Sequence, residues 1–495
     1  MGVSNSAVSR VTGIDVAPKN FNTGKAAMLP QRLLIIGQGN DDVLYSTDKY
    51  ECDGSAASVA ERYGYGSPLH LAAKQLFPTA GAMATFPVSI IAVKKGENGF
   101  VAASGAVTVA GESATAAAAC VLSVGGLDVQ VAVAKGATAA QVAADIAAAV
   151  NAEQDRPVTA TVEEATVTLT ARWSGALGNR ISLAWSGDDP GLTVAVTAFA
   201  DGAGVPAVDA ALASVGEVWE TFVLDTFDYK AADGSASPLL DVYQTWGEGR
   251  WSVLEKKGCL VAHGCTDDYA TRTAVTDARP SDRINFLIES VGSPELPFVV
   301  GARGLLDILT TADSNPAQDY KGTLGGLKRG SDAVQENYTV RNQSVMKGAS
   351  TNVTNGSIAE LNDIITFYHP AGGGKYPAWR YVVDCVKLMN IVFNLRLITE
   401  SDEVKGAALV PDDQVTSNSK ALQPKTFRTW FTNLATSLGL NALISDVEFT
   451  VKNIKVDIDS ENSKRLNYVY PVKVSGNVEV VSGDVYFGQY VGGEA

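Results

Sequence analysis

The sequence predicts a multi-domain chain: an α/β core with an inserted β-rich domain and a C-terminal α+β domain. Three observations lead there. Short apolar runs of strand length, RLLIIG at 32–37, FPVSIIAV at 86–93 and ETFVLD at 220–225, are separated by helix-like spacing, as in a sheet covered by helices. Between the second and third runs, residues 97–204 turn to Ala, Val, Thr and Gly in alternating order. After Ile444 the pattern changes again, to runs that alternate as half-buried strands do. At 495 residues there is room for two to four domains of roughly 100–200 residues each.

Taken in order, residues 1–25 are polar with scattered Val and Ile, and read as an extended N-terminal arm with little to bury. Residues 26–96 hold the first part of the core: strand 32–37, a helix-like run at 58–77 carrying Tyr63, Leu69, Leu71, Ala72 and Leu76, and strand 86–93. The insertion, 97–204, offers strands at 106–110, 129–134, 158–162, 166–170 and 181–185 around one Ala-rich helix at 139–151. Over 205–420 the core resumes. There the strand at 220–225, a helix near 241–256, CLVAHG, an acidic helix, INFLIES and PFVVGARGLLDIL alternate as in a parallel sheet with crossover helices. The C-terminal domain, 421–475, opens with a helix at 425–439 carrying Phe427, Trp430, Phe431, Leu434 and Leu438, and is expected to continue as strands over 447–458 and 467–475. Residues 476–495 form a linking arm, read as one more strand over 477–490.

The stretch 357–397 is central. Ser357 and Glu360 have the spacing of a helix-capping box, IITFY is strand-like, AGGGKYP breaks the chain, and about twenty residues without Gly or Pro then predict a helix about 30 Å long. Trp379, Val382, Val386, Met389 and Leu395 cover most of its circumference, leaving a narrow polar seam of Asp384, Lys387, Asn390 and Asn394. Arg380, Asp384, Lys387 and Arg396 argue against membrane insertion, at about 2.5–3.5 kcal/mol each at a bilayer centre.

Composition narrows function further. A net charge of −15 and a pI near 4.8, with no basic run longer than Lys94-Lys95 or Lys256-Lys257, argue against direct nucleic-acid binding. Five scattered cysteines and an N-terminus without an apolar signal core point to a reducing cytoplasm. The MGVSNS start matches a myristoylation pattern that is too short to weigh much. Gly37 and Gly39 begin a G-x-G-x-x-G pattern, but Asp42 takes the third glycine's place and would repel a pyrophosphate. His263 stands near Asp267 and Asp268, yet no serine occupies a nucleophile motif, so it reads as a hydrogen-bonded residue at a strand end. Cys259, His263 and Cys265 make at most a partial zinc site, and His70 and His369 are isolated. No catalytic, cofactor-binding or metal-binding residues are expected, and no cofactor.

The order IITFY, glycine turn, long helix, together with SNPAQDYKGTLGGL at 314–327, resembles the shared core of contractile phage tail sheath proteins and their Asn/Asp-Pro-Ala…Leu-x-Gly-Leu segment. SGALGNRISL at 174–183 resembles a Gly-x-x-Gly-Asn-x-x-x-Val element of that family's exposed domain, and motif order and length are most like the sheath subunit of Mu-like phages. The resemblance implies a structural virion subunit, assembled in the host cytoplasm as stacked hexameric rings. Its partners would be itself, the tail tube protein, and the baseplate and tail terminator proteins, and it would contract to deliver the genome. From the residues alone the last strand suits completing its own domain as well as linking copies; the resemblance implies that the terminal arms join copies by strand addition, through Val8, Val11, Ile14 and Val16 at one end and Val478, Val480, Val485, Tyr486 and Phe487 at the other. Lys425 and Arg428 are candidates to meet an acidic tube surface. The competing readings are an α/β enzyme and another virion shell or tube subunit.

Overall fold

The computed structural model describes residues 26–372 and 378–487. These form two compact units: a larger one of Leu29–Met389 with 477–487, and a smaller one of 26–28 with Asn390–Gly476. The smaller unit thus begins at Asn390, inside the helix Val382–Thr399, and not near residue 421.

The larger unit is built on a six-stranded sheet. Five strands run parallel, Leu33–Gly37, Val88–Ala92, Phe222–Asp225, Leu260–Cys265 and Asn285–Glu289, and the short Tyr50–Glu51 adds an antiparallel edge. Numbered along the chain, the parallel strands lie in the order 2-1-3-4-5, a doubly wound arrangement. Their residues are buried throughout because helices cover both faces, which is why their sequences are continuously apolar. Leu34, Ile36, Ile91, Val223 and Val261 form one side of the core, closed by Leu239 and Tyr243 of the helix Leu239–Arg250. On the other side the helix Pro297–Ser314 lies so close to Leu260–Cys265 that a Cβ on Gly264 would overlap the Pro297 carbonyl.

The β-rich insertion forms two antiparallel sheets. One orders Thr193–Ala200, Ala102–Ala110, Thr166–Ser174 and Val158–Glu163; the other orders Leu127–Val133, Ala118–Val124 and Leu183–Gly187. The helix Ala139–Ala152 begins at a capping box of Thr138 and Gln141.

Four expectations are corrected. Ser357 and Glu360 cap no helix: they lie in a hairpin, Asn352–Asn355 with Ile358–Leu361, whose two-residue turn has Gly356 at a positive φ of 59°. IITFY forms no regular strand. Its first four residues are buried and held by single bridges, Phe286 to Thr366 and Ile365 to Tyr381. The strand expected over 447–458 is a helix at Val447–Asn453, because Asp446 accepts from Phe449 N at 2.9 Å and caps it; only Lys455–Ile458 is extended, paired with Leu466–Val469. The final strand has no ladder partner over 477–487.

Candidate assembly interface

The polar seam of the long helix is where the chain's two end segments take root. Asn394 is buried and brackets Ala27, accepting from its N–H at 2.7 Å and donating to its carbonyl at 2.8 Å, while Ala26 N donates to Ser437 Oγ at 2.8 Å. Two helical turns earlier, Lys387 is fully buried and donates to Asp384 at 3.0 Å and to the Asn477 side-chain oxygen at 2.6 Å. Asn477 in turn donates to Ala317 O at 2.9 Å. A polar residue inside an apolar helix was the visible signal; its partner, far away in sequence, was not.

Ala317 belongs to the 314–327 motif, and so does the next contact. Lys321 Nζ lies 3.4 Å from Glu479 and 3.0 Å from Asp319, and donates to Asn362 O at 2.6 Å. Burial, then the nearby Asp319 and Asp363, push the Glu479 carboxyl up to about 7 against the opposing pull of Lys321. The motif thus forms the seat of the C-terminal arm.

On this seat the arm is turned the wrong way out for a strand completing its own domain. Asn477 and Glu479 face inward, whereas Val478 and Val480 are 79% and 67% exposed. Val485, Tyr486 and Phe487 follow at 87%, 92% and 96% exposed. Val8, Val11, Ile14 and Val16 of the other arm lie outside the described residues.

In the smaller unit, Phe427 and Phe431 of the helix Pro424–Leu440 pack with Ile454 and Val456 beneath the hairpin Lys455–Ile458 and Leu466–Val469. Tyr468 and Tyr470 stack on Phe431 with ring centroids 5.0 and 5.5 Å away. The aromatic row expected on this helix is therefore core. Lys425 and Arg428 are both engaged within the unit: Lys425 N donates to Asp412 Oδ1 at 2.7 Å, and Arg428 is ion-paired with Asp412.

The crevice at the carboxyl ends of the core strands is filled. In a doubly wound sheet the ligand crevice opens beyond the carboxyl ends of the first and third strands. Here the insertion's 174–180 segment occupies that position. Gln38 donates to Ser174 O at 3.2 Å, and Arg180 makes a bidentate pair with Asp267 at 2.9 and 2.8 Å and approaches Asp228 to 3.3 Å. His263 is fully buried, with Nδ1 3.1 Å from Asp225 and Nε2 3.0 Å from Asn285. Cys120, Cys259, Cys265 and Cys385 are buried, and no metal-binding cluster of His, Cys, Asp or Glu occurs among the described residues. No helix among them is long and apolar enough to cross a membrane.

No family model matches the chain. The Mu-like prophage FluMu tail sheath protein of Haemophilus influenzae is 26% identical over 375 residues, which is 74% of this chain and 74% of that protein. Among solved structures, a sheath tail protein from Desulfitobacterium hafniense aligns with 93% of this chain and 100% of its own at 11% identity and a TM-score of 0.46. The anti-feeding prophage helical sheath in its contracted state aligns with 97% of this chain and 100% of its own, at 11% identity and a TM-score of 0.49. The resemblance carried by the sequence motifs is thus matched by a relative over most of the chain: along three-quarters of its length, this protein is similar to the tail sheath protein of a Mu-like prophage.

Proposed function

We propose that this chain is the polymerising subunit of a contractile phage tail sheath, and that it acts structurally, not as an enzyme. Copies stack as hexameric rings around the tail tube, with baseplate and terminator proteins at the ends, and contraction drives the tube through the host envelope during genome delivery. The sheath assembles in the host cytoplasm and remains in the virion. The observation that carries this reading is the C-terminal arm, rooted through its polar residues and offering its valines and aromatics to a partner outside its own chain. Residues 1–25, with Val8, Val11, Ile14 and Val16, supply the second arm.

Strand addition suits the work. If an arm makes about five net hydrogen bonds at roughly 0.5–1.5 kcal/mol each, linkage persists while the globular bodies rotate. A preference of about 1–2 kcal/mol per subunit for the contracted packing, summed over many copies, yields mechanical work without a nucleotide. The filled crevice supports the non-enzymatic reading. A tube-facing role for Lys425 and Arg428 requires an acidic tube residue to replace Asp412.

Electron microscopy of the purified chain, beside variants lacking 1–20 or 477–495, tests the reading. Wide hollow tubes from the full chain, lost in either deletion, are the expected result. Uniform monomers of the full chain at high concentration would overturn it.

A further inference from the structure

The two free edges of the C-terminal hairpin are not equivalent. Asp459 N donates to Arg465 O at 2.9 Å, which fixes the alternation: 457 with 467 and 455 with 469 are hydrogen-bonded pairs, and 456 with 468 and 458 with 466 are not. The backbone groups of Val456 and Ile458 therefore point to the free edge of the first strand, and those of Leu466 and Tyr468 to the free edge of the second. On the first edge Val456 is buried and its acceptor is already taken. Arg428 Nη1 donates to Val456 O at 2.9 Å, while Nη2 holds Asp412. Asp412 is fixed in its turn by the Lys425 backbone N–H at 2.7 Å, and its carbonyl accepts from Lys425 Nζ at 3.0 Å. Among the described residues no side chain caps the backbone of Tyr468 on the second edge.

We propose that Arg428 is an edge lock: it closes the first strand of the hairpin to an extended strand from another copy and leaves the second strand open, so that strands add in order, open edge first. The inference rests on the strand-addition reading of the arms. An incoming strand must donate its own N–H to Val456 O, and a guanidinium already donates there. The guanidinium also lies in the path of the incoming backbone, and a fixed positive charge on an edge is a known device against unwanted pairing. The second strand has Tyr468 and Val469 exposed and, among the described residues, no side chain bonded to its outward backbone to displace. The lock would keep newly made subunits from pairing through their first strands before a partner strand is in place on the second.

The test compares the wild-type chain with Arg428→Met, which keeps the apolar stem and removes every donor, and with Arg428→Lys. Below the polymerising concentration, each is mixed with a synthetic peptide of residues 476–490 bearing a photo-crosslinker, and the crosslinked sites are mapped by mass spectrometry. The wild type is expected to capture the peptide beside Tyr468 only, and Arg428→Met beside both Tyr468 and Val456. Loss of one charge-assisted bond predicts about tenfold to hundredfold more capture at the Val456 edge, with Arg428→Lys between. Circular dichroism checks that the variants stay folded. Capture beside Tyr468 in every form, with no gain at Val456 in Arg428→Met, would overturn the lock and keep strand addition. Capture at neither edge would overturn strand addition itself and the lock with it.

Discussion

The core sheet and the C-terminal hairpin treat their edges in opposite ways. At one end of the core sheet, the short strand Tyr50–Glu51 is laced with charge: Arg32 lies 3.0 Å from Glu51, and Lys49 lies 2.5 Å from Glu220. At the other end, Phe367 N donates to Asn285 O at 3.0 Å and Asn352 donates twice to Glu289, at 2.8 and 2.9 Å. The chain closes both edges from its own residues. The hairpin has two strands, one with Val456 buried and its carbonyl held by Arg428 and the other exposed, and the segment that follows displays its apolar side. Unpaired edges invite other chains, and proteins that must stay apart cover them. That one chain does both shows the open edge to be a local feature, and the proposed function gives it an occupant.

The comparison can be broken first at its strongest point. Phe286→Ala, in the fully buried strand Asn285–Glu289, should cost about 3–5 kcal/mol in denaturant unfolding and abolish assembly through loss of the fold, whereas Phe487→Ala should stay within about 0.5 kcal/mol of wild type and still weaken assembly. Equal unfolding curves for the two would erase the distinction. Arg180→Met tests the insertion's attachment. Asp228 and Asp267 lose their arginine, Asp267 keeping Lys230 at 3.5 Å and the Tyr229 hydroxyl at 2.9 Å, so stability should fall by about 3 kcal/mol and the chain should be cut faster near residues 97–99. An unchanged cleavage rate would mean that the insertion is held elsewhere. Asn477→Ala removes two hydrogen bonds at the arm's root, and proteolytic removal of the arm should speed up about tenfold while the core unfolds as before.

A pH dependence is expected as well. Glu479 has a carboxyl pKa of about 7 on its seat, against 4.5 when free, so the docked arm holds a proton that the released arm gives up between those values. Docking is therefore strongest below pH 4.5 and weakens as pH rises through 7. Arm cleavage, followed from pH 5.5 to 8, should accelerate over about that range in the wild type and stay flat in Glu479→Gln. A wild-type profile that slows with rising pH would reverse the sign and refute the docked geometry.

Much of the core was legible because burial on both faces writes itself as uninterrupted apolar runs, and Leu33–Gly37 and Phe222–Asp225 lie within the runs that predicted them. The insertion showed as a composition change that the antiparallel sheets explain. Less legible were elements decided by one local contact. VEFTVKN has β-branched and aromatic residues suited to a strand, yet the Asp446 cap makes it helical. Gly356-Ser357 is a hairpin turn whose signal was read as a helix cap. The arm's alternating valines were visible, but alternation records a surface suited to pairing and not which chain supplies the partner. Lys387 stood out as a polar residue on a largely apolar helix and Arg428 only as a candidate tube contact; that one would hold Asn477 and the other Val456 O depends on residues 90 and 28 positions away.

The most direct test of the central claim places cysteines at Tyr468 and Tyr486 of the full chain, mixes isotopically heavy and light copies, lets them assemble, and oxidises them. Strand addition between copies predicts 468–486 disulfides joining heavy to light peptides in the assembled fraction and none in the unassembled one. Disulfides confined to heavy–heavy and light–light pairs would show the arm folding back on its own chain, and would contradict the account.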